Sequence, residues 1–458
     1  MHRNLTPGVW NKLLRSMLGT AMLLTAASTL LGQTGSNLSD YQGPGILSPG
    51  VGDLGSRSGE QLDLRYYVGV SGVVDTNLQP FLLDAQGNLL RVHNLYGVEV
   101  HGGVYGVHSW KRSQLGLDYV GSYHRYLNEN IYNGSDQSLA LGYTHESSRH
   151  FMFDLRESAG TFTFGTGQVT DAATSGSSSA ITPTTILFDN RNYFLDTSAF
   201  ATWIQSARMS YTIGGTAFLQ DRQAQGLGNT WGYNFTGRAT RRLSKTTTVG
   251  ATFMYSHFEF PLFFSYSDSE AYHAFYATTL GRFWTFSIEA GATVSDITSQ
   301  VTVALDPTLA ALLGQPTITG ISFLRAIYPS GDAKLSREFR RASLIFSYMR
   351  GLNSGNGVYS STRVEDARVA FSYTGIHRLN LGLNAGHYSV AALGQNLAPY
   401  ALYSGSAGLT YELGRAIHLS MRYDLRDQQI DLPGYRRTTT RASLGLVFSP
   451  GTLPLSLW

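Results

Sequence analysis

Residues 415–427 read RAIHLSMRYDLRD, and the stretch alternates in character position by position. Ile417, Leu419, Met421, Tyr423 and Leu425 share one parity, while His418, Ser420, Arg422, Asp424 and Arg426 share the other. Successive side chains of a strand point to opposite faces, so this stretch predicts a β-strand with one apolar and one polar face. A single strand leaves open whether the apolar face meets a protein core or lipid.

The same format recurs along most of the chain. Leu62, Leu64, Tyr66, Val68 and Val70 oppose Asp63, Arg65 and Gly69. Phe151, Phe153 and Leu155 oppose Asp154 and Arg156, and Trp284 to Val294 alternates in the same way with Thr285 to Thr293. Leu379, Leu381 and Leu383 oppose Asn380, Gly382 and Asn384. Composition agrees with this wall-like pattern. Charged residues make up 14% and hydrophobic residues 42%, with 50 Gly and 27 Tyr. Soluble domains average about 25% charged residues, and here the missing charge has been replaced by small and hydroxyl-bearing residues rather than by a larger apolar core. The net charge of +3 is too slight to point to nucleic acid.

The N-terminus carries Arg3, Lys12 and Arg15 ahead of an uncharged apolar run from Ser16 to Gly32. This has the layout of a secretory signal, residues 1–32, and is short for a membrane anchor. Gln33 stands where a lipidated Cys would be needed, which excludes a lipid anchor. With zero cysteines, disulfides and thiolate metal sites are excluded as well. Residues 33–60, rich in Gly, Ser and Pro, read as a flexible segment, leaving 61–458 for the folded body. No later run is long and apolar enough for a helical span.

The connections sort into two kinds. Short ones recur at Trp110-Lys-Arg, Ser147-Ser-Arg, Gln205-Ser-Ala-Arg, Leu243-Ser-Lys, Leu280-Gly-Arg, Ser336-Arg-Glu-Phe-Arg, Gly375-Ile-His-Arg and Leu413-Gly-Arg. Longer polar ones fall near 127–134, 161–197, 222–229, 260–268, 300–320, 351–357, 391–400 and 428–435, with one short helix expected at 306–316. Regular exchange of tight turn and long loop is expected of an up-and-down antiparallel barrel whose rims face different compartments. The count is about 18 strands, with 16 the neighbouring even number. Only a closed barrel lets strands satisfy every backbone group in lipid, and the apolar rows end in Tyr, Trp and Phe as interfacial girdles do. The apolar row is therefore expected to face lipid.

The export signal, the hairpin format and an aromatic residue at the end of the last strand together resemble Gram-negative outer-membrane β-barrels of the porin type. The resemblance covers about 60–458 at the level of architecture. It implies short periplasmic turns, long extracellular loops, and partners in outer-membrane lipid, periplasmic chaperones and barrel-assembly machinery. In such proteins a terminal aromatic is read during assembly. Here Gly445 and Phe448 fit that signal, yet ten residues follow, so either Phe448 or Trp458 carries it.

With the apolar row outside, the second row lines the interior. It contains Asp63, Arg65, Glu99, His101, Asp118, Asp154, Arg156, Arg208, Arg238, Glu289, Arg368, Glu412, Arg422, Asp424 and Arg426. Isolated charges in a dry interior are very costly, and a barrel this wide holds water, so a hydrated lumen is expected. Two readings of the charges stand together: selection among solutes, or simple pairing that holds the wall. The loop at 161–197, with Asp189, Asn190 and Arg191 at its edge, reads equally as an inward constriction and as a surface loop.

Catalytic motifs, phosphate loops and metal-ligand spacings are missing from the sequence. His257 beside Glu259 is the nearest approach to an acid–base pair, and such neighbours on a surface are ordinarily without function. No enzyme activity, metal or cofactor is expected. The leading reading is a passive channel for small hydrophilic solutes; the alternative is an exit or scaffold barrel of a polysaccharide or polymer export system. The solute, the ion selectivity and the oligomeric state are not legible.

Overall fold

The structure, a computed structural model, describes residues 61–79, 90–162, 191–224, 226–281, 283–353, 361–393, 398–430, 436–450 and 452–453, with isolated loop positions between them. The expected signal (1–32), the flexible segment (33–60), Asp189, Asn190 and Trp458 lie outside these residues, as do the side chains of Asp63 and of Thr452 and Leu453.

Eighteen long antiparallel strands form one closed sheet. In chain order they are β1 (61–78), β2 (92–109), β3 (113–126), β4 (134–148), β5 (151–162), β6 (192–206), β7 (209–222), β8 (230–242) and β9 (247–260). They continue with β10 (265–280), β11 (284–304), β12 (317–338), β13 (342–353), β14 (362–376), β15 (379–392), β16 (400–412), β17 (417–430) and β18 (436–448). Each pairs with its sequence neighbours, and β18 closes on β1 through Val68↔Phe448 to Thr76↔Thr440. The shortest strands, β5 and β13, have 12 residues, above the 9–11 or so that a tilted strand needs to cross a membrane. No described helix is long and apolar enough to cross one.

The tight turns all fall at one rim, and the longer connections, including 79–91 between β1 and β2, at the other. In the β11–β12 connection, Asp306 caps the short helix α1 (Pro307–Leu313) by accepting from the Thr308 N–H at 2.9 Å. Pro307 stands at its first turn, where its missing N–H is harmless. After Phe448 the described part of the chain, to residue 453, continues along the sheet. It stays beside β1, with Thr452 opposite Arg65 and Leu453 opposite Leu64.

The wall is apolar outside and polar inside. On β17, Ile417, Met421 and Tyr423 are 45–47% exposed, while Asp424, Arg426 and Gln428 are 7, 4 and 0% exposed. The outer face continues through Val68 and Val70 on β1 and Leu444 and Leu446 on β18. Monomeric soluble proteins rarely carry apolar patches above a few hundred Å². A closed girdle of such residues is the surface of a transmembrane barrel.

Candidate functional site

The candidate site is the lumen, and strand parity builds it. Every second residue points inward, so charges spaced by two on one strand lie side by side. Three such pairs form on separate strands. Arg156 Nε lies 3.2 Å from Asp154 Oδ1, Arg368 Nη2 lies 2.6 Å from Asp366 Oδ2, and Arg422 Nε lies 2.8 Å from Asp424 Oδ2. Each places a cation and an anion on the inner wall with no net charge.

Two larger clusters face the lumen. Where β18 meets β1 and β2, the Arg441 guanidinium lies 3.3 Å from Asp75 Oδ2 and also binds the Glu99 carboxylate. Tyr126 donates to Asp75 at 2.6 Å, and Asp424 sits beside Arg441 in register. Across β8 to β12, Arg238 binds Glu289 and donates to Thr252 at 3.1 Å. His273 Nδ1 lies 3.4 Å from the other Glu289 oxygen, its Nε2 lies 2.7 Å from Ser330, and Ser330 in turn meets Thr293 at 2.7 Å. Networks of this kind hold their members in fixed positions.

The other expected lumen residues fall elsewhere. Arg65 is half-buried on the inner face of β1 toward the tight-turn rim. Asp118 is buried and in register with Tyr105, which packs with Tyr67 and Val447. Arg426 is buried near the long-loop rim, between Ser404 and Thr439. Glu412 lines a cavity of about 430 Å³ at the tight-turn rim, with Arg341, Arg378, His377 and His418. Arg208 is an exposed residue of the β6–β7 turn, one position before β7 begins, and is no part of the inner wall. His257 does not pair with Glu259. Both lie on the outer parity of β9, and His257 Nδ1 meets Asp268 at 2.8 Å. Among the described residues no group of His, Cys, Asp and Glu has the arrangement of a metal site.

A connection other than the one the sequence suggested crosses the lumen. Residues 163–190 are outside the described set, whereas the short connection 223–229 between β7 and β8 spans the lumen. Leu227 is buried against Val364, Tyr388, Val390, Tyr400 and Leu402, inward residues of β14 to β16. Those strands stand nearly opposite β7 and β8 in the ring. Arg222, buried at the end of β7, pins the strap: its guanidinium binds the Gly228 carbonyl, Thr230 Oγ1 at 3.1 Å and Gln220 Oε1 at 2.7 Å. Arg191, at the edge of the expected constriction, touches this strap by accepting from the Gln223 N–H at 3.1 Å. Two further apolar clusters lie toward the same end: Val73, Leu78, Leu95, Tyr126 and Tyr132, and Phe218, Phe258, Phe260, Tyr328 and Leu352.

Sequence reading missed Asp75, Arg441, Asp366, His273 and the strap. The Asp-x-Arg spacing of Asp366 and Arg368, identical to that of Asp154 and Arg156, was a usable signal. Nothing in the sequence linked Arg441 to Asp75, because barrel closure brings together residues 366 positions apart.

No family model matches the sequence, and no curated protein matches it. Among solved structures, OccK2 (OpdF) of Pseudomonas aeruginosa is similar with a TM-score of 0.42 and 11% identity, covering 86% of this chain and 98% of that one. OpdK of the same organism, solved with vanillate, gives 0.38 and 11%, covering 84% and 98%. A BenF-like porin from Pseudomonas fluorescens Pf-5 gives 0.39 and 9%, covering 85% and 99%.

Proposed function

We propose that this porin-like barrel of the Gram-negative outer membrane is a passive channel for small hydrophilic solutes. The observation that carries the reading is the inner wall: polar and charged side chains, paired along and across strands, face a lumen crossed by the 223–229 strap. Paired charges create short-range fields that reverse sign over a few ångströms, which suits solutes carrying both donors and acceptors better than it sorts simple ions. The strap sets a size limit at the long-loop end. A polymer exit needs a bore open along its length, and a strap packed across the lumen disfavours that alternative.

The test is conductance of the purified protein in planar lipid bilayers. Discrete, stable steps with weak K⁺/Cl⁻ selectivity are expected. Silence at all voltages, with the protein folded, would remove the channel reading.

A further inference from the structure

The barrel wall is incomplete between β12 and β13. β12 pairs with β11 along 21 residues, but with β13 only from Gly331↔Arg350 to Glu338↔Ser343, eight pairs. Eight pairs extend about 26 Å along the strand, or roughly 20 Å along the axis of a barrel tilted near 40°, against an apolar belt of about 25 Å. The ladder therefore ends inside the half of the membrane nearer the long loops. On the β12 side the outward row remains apolar above that point, with Ile327 exposed, until Arg325 pairs with Asp296 at 3.6 Å.

Pro329 marks the break. Its pairing with Ala292 of β11 is uninterrupted, and a residue without an N–H belongs on a strand that has one open edge. Above the break, β13 passes inside β12 instead of beside it. Leu352 has the outward parity of Arg350, yet it is buried against Phe218, Phe258, Phe260 and Tyr328, which are inward residues of β7, β9 and β12. Leu393, Ala326 and Phe263 pack on the same cluster. A slot results. Its sill is Gly331 and Arg350, with Arg350 paired to Glu365 at 3.3 Å. One rim is the backbone edge of β12, and its back is aromatic and aliphatic. This is the shortest ladder among the described neighbouring strands of the barrel, the next being the nine pairs of β1 with β18.

We propose that this slot is a lateral portal through which small amphipathic molecules move between the outer leaflet and the mouth of the lumen. An open sheet edge is not tolerated in hydrocarbon unless it borders water or a hydrogen-bonding group. The β12 edge and the Arg350–Glu365 pair supply that polar border, and the Phe258, Phe260, Tyr328 and Leu352 cluster supplies an apolar bed. A solute with an apolar body and one hydrogen-bonding end matches both. The inference rests on the channel reading, because a molecule that enters from the leaflet at this mouth reaches the far side only through the strapped lumen.

Tyr328→Cys/Leu352→Cys in the full-length protein, joined by a short thiol cross-linker, locks the bed. The probe is a dansyl-aminooctyl sulfonate, whose fixed charge prevents unaided crossing, taken up by proteoliposomes preloaded with cyclodextrin. Cross-linking is expected to reduce uptake to the protein-free background, reduction of a cleavable linker to restore it, and KCl conductance to persist throughout. Pro329→Val, which returns an N–H to the edge, is expected to slow uptake without a cross-link, and it serves if the cysteine pair does not assemble. Uptake that persists in the locked protein overturns the portal, as does wild-type uptake no faster than background. Parallel loss of uptake and conductance also overturns it, because the cluster would then be part of the main pore. If Phe323→Cys is shielded from a thiol reagent in native membranes but labelled in the purified protein, the edge belongs to a partner strand, which overturns the portal too. Silence in KCl together with background uptake removes the channel reading, whereas steady KCl conductance with background uptake of the probe removes the portal alone.

Discussion

Replacing Arg441 by Gln should turn the lumen toward cations. The side chain faces Asp75 and Glu99, and the three groups together carry one net negative charge; Arg441→Gln makes that two. An ion passing about 5 Å from the added charge gains or loses roughly 0.8 kcal/mol in water, which a Debye length of about 10 Å at 0.1 M salt trims to about 0.5 kcal/mol. That is about twofold for each ion, and so about fivefold in the K⁺/Cl⁻ permeability ratio. At 1 M salt, with a Debye length of about 3 Å, the shift should shrink to less than about twofold. Reversal potentials across a KCl gradient in planar bilayers measure it directly. Glutamine keeps a donor for Asp75, which also accepts from Tyr126, so the barrel should still fold and migrate as a heat-modifiable band. An unchanged ratio at low salt in a folded barrel would mean that this cluster does not face the ion path.

Shortening the strap by deleting residues 224–228 should raise single-channel conductance, and Leu227→Ala should do so partially, because Leu227 is the contact that seats the strap on β14 to β16. Leu419→Arg should lower unfolding free energy in lipid by roughly 2–4 kcal/mol near the midplane, whereas Ser420→Arg, on the inner parity, should cost far less in the same denaturant titration. Gly445→Ala should impair closure of the barrel, since a Cβ there would lie 2.3 Å from the Val70 carbonyl oxygen; Gly237→Ala, with nothing within 4 Å, should assemble normally. Both are read by the yield of folded protein in outer-membrane fractions.

The wall was legible because one rule governs it. Parity decides which side chains meet lipid, so Ile417 to Leu425 could be assigned outward from thirteen residues of sequence, and the repeated turns gave the number of strands. The failures lie at strand ends, where parity has no authority. Arg208 follows the alternation of Met209 to Ile213 but falls in the turn, because the β6–β7 ladder ends with a register shift between Ile204 and Ser206. The 260–268 connection is shorter than expected: only 261–264 leave the ladder, and Ser265 already faces Phe260. The choice between solute selection and wall pairing needed distances, and these show Asp154, Arg156, Glu289, Arg238, Arg368, Arg422 and Asp424 in ion pairs.

The strap had a sequence trace of another kind. Along β14 to β16 the inward parity is polar or small at Arg368, Asn384 and Ser406, but near the long-loop end it becomes Val364, Tyr388, Val390, Tyr400 and Leu402. Apolar residues on the inner parity of a wet barrel have no reason to face water, so a run of them means that something covers the inner face. The cover had to come from a loop at the same rim that carries an apolar residue. The β7–β8 connection QAQGLGN offers Leu227 as its only large one. A break in alternation, read together with the rim at which it occurs, thus locates a constriction in a short connection, 223–229, to which loop length alone gives no pointer.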